Sequence, residues 1–148
     1  MNKPIANLTY EEDFYVWLLN SAELLRQRKF SELDVENIAE ELEGMARSDK
    51  RQFINRFAVL LAHLLKWQYQ PEKRSKSWER TIKEQRKRIL LLLEDSPSLK
   101  DAIEKNLSDA YEIAILSAAN ETGIDESHFP ESCEYSFEEI LENHFYPE

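Results

Sequence analysis

Glycine is scarce, with two in 148 residues, Gly44 and Gly123. That argues against hairpin-rich β structure, whose tight turns need positive φ, and against the glycine loops that cradle phosphates. Cysteine is scarcer: Cys133 stands alone and cannot form an internal disulfide, as fits a reducing compartment. Long apolar runs are missing too. Stretches such as Ile89–Leu93 fall far short of the roughly 20 residues of a membrane helix. The opening residues MNKPIANLTYEED lack the apolar core of a signal peptide, so a cytoplasmic location without a membrane partner is expected. Catalytic motifs are also wanting: there is no nucleophile elbow, phosphate loop or zinc-protease motif. No cofactor is expected.

What remains is the composition of a globular chain, 42% hydrophobic and 32% charged. Its length suits one domain, 1–148, with a core of its own. The net charge of −10 hides an asymmetry. Residues 66–90 carry nine Lys/Arg against three acids, whereas residues 91–148 carry two against fifteen. A uniform nucleic-acid binder is thereby excluded, but a local basic patch is not.

Periodicity and caps predict an all-α protein: about four main helices including one long central helix, plus a short C-terminal one. Residues 1–8 are expected to be a flexible N-terminus. Thr9 and Glu12 have capping-box spacing, which predicts a helix from about Tyr10, with Phe14, Trp17, Leu18 and Leu25 on one face. Asp34 caps the second helix, whose apolar seam from Ile38 to Trp67 predicts one helix over about 35–69, bent at most near Gly44–Asp49. Ser75 or Ser77 starts a third helix to about Leu93. Ser96 as cap and Pro97 at the first helical position start a fourth, which ends at Gly123. Residues 124–148 read as an irregular acidic segment wrapping the outside, with a short helix opened by the Ser136–Glu139 box.

Four stretches together resemble a known bacterial family: YEEDFYVWLLNSAELLR (10–26), LDVENIAEELEGM (33–45), FAVLLAHLLKWQYQPEKRSKSW (57–78) and DSPSL (95–99). It is abundant in cyanobacteria and is catalogued as a domain of unknown function, number 29. The resemblance runs from about Tyr10 to Pro147. It implies an all-helical, single-domain cytoplasmic protein and no particular activity. The chain departs from the family at CEY (133–135), where Glu134 stands in place of a proline.

Several constellations carry chemistry. Lys76, Arg80, Lys83 and Lys87 recur at helical spacing, with Arg74 beside them and Arg86 as a further flank, which is a kit for polyanion or nucleic-acid binding. His63, Trp67, Tyr69 and Trp78 form an aromatic corner around Pro71 that either takes a ligand or pins two helices, with Trp67 and Trp78 packed across the turn. The plainer reading has Arg74 and its neighbours paired with internal acids, and that is the one expected. Glu36, Glu40 and Glu43 share a helix face, and with His63 they are the weak case for a metal-dependent enzyme. That site needs the chain to fold back near Gly44–Asp49, because 23 helical residues span about 34 Å. His128, Cys133 and His144 match no standard zinc spacing. The leading expectation is a non-enzymatic protein-interaction module with a protein partner or self-association; a small regulator binding nucleic acid through 73–88 is the alternative.

Overall fold

Four of the five α-helices among the described residues begin at a side chain that accepts from their first backbone N–H groups. A computed structural model describes residues 8–148; the expected flexible N-terminus, apart from Leu8, lies outside them. Among the described residues there are five α-helices and no strand: α1 (Phe14–Arg26), α2 (Val35–Tyr69), α3 (Lys76–Asp95), α4 (Leu99–Thr122) and α5 (Phe137–Leu141). The all-α expectation holds, and α2 runs unbroken through Gly44–Asp49. Contacts divide the chain into two compact units, Met1–Ser48 and Asp49–Glu148. α2 contributes residues to both.

In the first unit the Thr9 hydroxyl bonds the Glu12 side chain at 2.8 Å. The carboxylate of Asp13 is the cap instead, accepting from the Val16 N–H at 3.0 Å. α1 therefore starts at Phe14 and not near Tyr10. It ends in paired bonds, Lys29 N–H to Leu24 O at 2.9 Å and Arg28 N–H to Leu25 O at 3.0 Å, with Arg28 left-handed at φ 60°. This is the terminator in which glycine usually sits. Asp34 caps α2 as expected, accepting from the Asn37 N–H at 3.4 Å. Tyr10, Phe14 and Trp17 form an aromatic cluster, and the Tyr10 hydroxyl donates to Glu41. That bond to a carboxylate holds the phenol above its ordinary pKa.

The second unit holds the core. From Phe53 to Lys66 the residues of α2 at 53, 57, 58, 60–62 and 64–66 are all buried, while Asn55 and Val59 on the remaining side stay exposed. Ile82 and Ile89 of α3 and Ile103 of α4 meet it fully buried, each gaining about 1.5–3 kcal/mol from burial. Ala110, Ala114 and Ala118 recur every fourth residue of α4, and these small buried side chains favour close approach. The Ser75 hydroxyl caps α3, accepting from the Trp78 N–H at 3.2 Å. Gly123, left-handed at φ 76°, closes α4.

Two expectations need correction here. Ser96 closes α3, with its N–H on Leu92 O at 2.8 Å, while its carbonyl accepts from the Leu99 N–H at 3.0 Å in the turn that leads into α4, whose cap position is Ser98. Pro97 sits in the intervening turn, and α4 begins at Leu99. The acidic C-terminal segment is also more than an outer wrap: Phe129 and Ile140 are core residues, and Tyr135, Phe137, Phe145 and Tyr146 pack against that core. The Tyr111 hydroxyl donates to Pro130 O at 2.7 Å, and burial pushes its pKa up to about 12. The Ser136–Glu139 capping box forms as expected, but α5 ends at Leu141.

Candidate interaction surfaces

The corner at residues 63–78 is built from groups that satisfy one another. The Arg74 guanidinium lies 5.0 Å over the Trp67 ring, and it donates to Trp67 O at 2.8 Å and Pro147 O at 3.4 Å. Its partners are backbone carbonyls, in place of the internal acids expected. Trp67 O suits a cation because it belongs to the last turn of α2, whose carbonyls lack helical N–H partners and carry partial negative charge. Trp67 packs against Tyr146 at 4.9 Å and Tyr69 against Phe129 at 5.2 Å. Trp78 receives the ammonium of Lys66 on its face at 5.0 Å. The corner's aromatics thus bind their own chain.

Lys66 is the residue that sequence reasoning missed here. It is 4% exposed and ion-pairs with Glu121 from the end of α4. Its ammonium also lies 3.5 Å from His63 Nε2, while His63 Nδ1 is 2.9 Å from Val59 O. An ammonium can only donate, so Nε2 accepts and Nδ1 carries the proton to Val59. Burial, opposed by the Val59 bond and reinforced by the Lys66 charge, lowers the pKa of His63.

Arg86, expected as an outer flank of the basic helix, is instead fully buried. It donates to Ile140 O at 2.8 Å, Asn143 O at 3.4 Å and Phe145 O at 2.6 Å, with its guanidinium 5.4 Å over the Tyr146 ring. The signal is present in the chain, because Arg86 stands between Ile82 and Ile89 at the spacing of the buried stripe. Desolvation lowers its pKa.

The rest of the basic set is on the surface. Lys76, Arg80, Lys83 and Lys87 are exposed along one side of α3. Glu79 takes Lys76 at 3.6 Å and Lys83 at 3.4 Å, and those cations hold its carboxyl below the usual range. Exposed pairs of this kind are easily exchanged. Of the Glu36–Glu40–His63 grouping, the two glutamates belong to the first unit and the histidine to the second. Among the described residues no group of three or more His, Cys, Asp or Glu side chains is arranged to hold a metal ion. Cys133 is half-buried, and burial raises its thiol pKa.

Two apolar surfaces stand open. In the first unit Phe14, Tyr15, Leu18, Leu19, Leu25, Phe30, Val35, Leu42 and Met45 are all at least 41% exposed, and Trp17 is its one buried large apolar side chain among the described residues. Phe14, Leu18 and Leu25 fall on one stripe of α1, and Val35, Leu42 and Met45 on one stripe of α2. The sequence pattern assigns Phe14, Leu18, Leu25, Leu42 and Met45 to the core. Two helices and one short turn have too little area to cover those faces. In the second unit a groove of about 540 Å³ runs between α4 and residues 126–131. Ile115, Leu116, Phe129 and Pro130 line it together with three carboxylates, Glu112, Glu126 and Glu131.

Among the described residues no helix is long and apolar enough to cross a membrane. The family model described as Domain of unknown function DUF29 matches residues 9–146. Comparison with curated proteins and with solved structures gives no match.

Proposed function

Because this chain belongs to the DUF29 family, whose description carries no activity, we propose its function from its surfaces: a non-enzymatic protein-interaction module that docks partner helices on the exposed stripes of α1 and the first part of α2. The observation that carries this reading is the exposure of nine large apolar side chains between Phe14 and Met45. Monomeric proteins rarely leave such patches uncovered, because each exposed side chain forgoes burial energy and invites aggregation. The spacing of Val35, Ile38, Leu42 and Met45 alternates three and four residues, the seam that accepts knobs from a second helix. A partner presenting an amphipathic helix is the chemistry that fits.

Site-specific photo-crosslinking tests the reading. A photoreactive residue in place of Leu19 or Leu42 is expected to give an adduct with one defined protein in living cells, whereas the same residue at the exposed Asn55 gives none. Adducts of equal yield at all three positions, or none at Leu19 and Leu42, would overturn it.

A further inference from the structure

The second unit carries two further surfaces that complement each other. One is the exposed stripe of α3 on which Lys76, Arg80, Lys83 and Lys87 are followed by Leu90 and Leu91, 38% and 46% exposed. At 3.6 residues per turn these six positions share about a third of the helix circumference and extend about 22 Å along it. The other is the groove beside α4, whose lining combines apolar residues, among them Leu116, itself 55% exposed, and Pro130, with the carboxylates of Glu112, Glu126 and Glu131. No Lys or Arg lines it.

We propose that the groove receives the basic–apolar stripe of α3 from a second copy of this chain, joining copies head to tail. An apolar groove lined in part by carboxylates selects an amphipathic helix whose cations flank or precede its leucines. This chain supplies such a helix. With a net charge of −10, two copies repel unless opposite local charges meet, so the cationic stripe and the acidic rim fix the orientation of approach. Lys76 and Lys83 leave Glu79 for the new carboxylates at little cost, since exposed pairs contribute little. Stripe and groove are different patches, so the contact is heterologous: each copy offers one of each, and association continues into rings or filaments. Neither apolar stripe of α1 and α2 takes part in this contact, so it stands or falls separately from them.

Sedimentation velocity on the full chain tests it. The wild type is expected to form species larger than dimers as concentration rises. Lys83→Glu/Lys87→Glu on the stripe and Glu126→Lys/Glu131→Lys on the groove should each sediment as monomers while keeping wild-type helicity. Mixed, the two variants should associate again, because the unaltered stripe of one meets the unaltered groove of the other, and the reversed charges meet likewise. Leu90→Glu provides a second, independent variant and should weaken association by about tenfold or more. A wild type that remains monomeric at every concentration, or a mixture of folded variants that remains monomeric, overturns the proposal. So does a monomeric wild type whose α3 stripe binds single-stranded oligonucleotide and loses it in Lys83→Glu/Lys87→Glu; the stripe would then serve a polyanion.

Discussion

The guanidinium of Arg86, in the middle of α3, donates to the carbonyl oxygen of Phe145 at 2.6 Å, 59 positions further along the chain. With the bonds to Ile140 and Asn143 it gathers three acceptors of the C-terminal segment onto one fully buried cation. Removing it uncovers three carbonyls at once. Arg86→Met is expected to destabilise the fold by about 3–5 kcal/mol in urea unfolding. Arg86→Lys should recover only a minor part, since the three carbonyls are met separately by Nε, Nη1 and Nη2 and a single ammonium nitrogen cannot stand within reach of all of them. Alkylation of Cys133, slow in the wild type because burial raises the thiol pKa, should quicken in both variants as the segment loosens. A wild-type alkylation rate in Arg86→Met would contradict this account.

The Lys66–Glu121 pair is asymmetric, with the lysine side chain 5% exposed and the glutamate 48%. Loss of the glutamate strands a buried ammonium, although water can reach part of the vacated space. Glu121→Ala should therefore cost about 1–3 kcal/mol, less than breaking a wholly buried pair. Lys66→Met keeps the packed stem and removes the charge, so a change below about 1 kcal/mol is expected. Chemical denaturation of the two variants gives the comparison, and equal losses would refute the asymmetry.

His63 makes stability depend on mild acid. Its folded pKa is lowered by burial and by the ammonium of Lys66, against the raising effects of Val59 O and Glu121. As pH falls below about 6.5, the unfolded chain takes up a proton that the folded chain still refuses. The contribution of His63 is thus fully present above the unfolded value and is lost as pH falls from there toward the lowered folded one. His63→Gln should show a shallower decline of the urea midpoint between about pH 7.5 and 5.5, the range that brackets the ordinary histidine value. Parallel curves would mean that other groups set the slope.

Two left-handed residues give opposite expectations. Gly123 stands at φ 76°, and a Cβ added there would meet nothing within 4 Å, so Gly123→Ala encounters backbone strain alone and should cost about 1–2 kcal/mol. Arg28 carries a side chain at φ 60°. Arg28→Gly relieves that strain, offset in part by chain entropy, and should stabilise by up to about 1 kcal/mol. Thermal unfolding followed by circular dichroism reads both.

The helical architecture was legible because its signals are local. Asp34, Ser75, Gly123 and the Ser136–Glu139 box act within four residues of themselves, and each does what its spacing implies. The α2 seam likewise shows the 3.6 period whether or not anything covers it. What could not be read is which parts of the seam are covered: Phe57 and Met45 look alike in the pattern, yet one is fully buried and the other 65% exposed. The corner shows the same limit. Lys66 looks like a surface cation until Glu121 arrives from distant sequence. Arg86, although its place between Ile82 and Ile89 marks it for burial, shows nothing of the carbonyls of residues 140–145 that receive it. The carboxylate at 121 and the backbone turn at 140–145 carry no marker of their destination. The polyanion residues divide accordingly: Arg74 goes to carbonyls, and Lys76, Arg80, Lys83 and Lys87 stay outside.

The clamp formed by Arg86 also has a consequence for synthesis. A ribosome delivers Arg86 54 residues before Ile140 and 59 before Phe145, whose carbonyls receive its guanidinium, so the nascent second unit holds an unmet cation where its core must close. Until residues 140–145 emerge, that site stays wet and open, and a chain interrupted before them keeps it so. The arrival of residues 140–145 is thereby registered inside the core, and copies interrupted before them remain recognisable to proteases and chaperones by the surface they fail to seal.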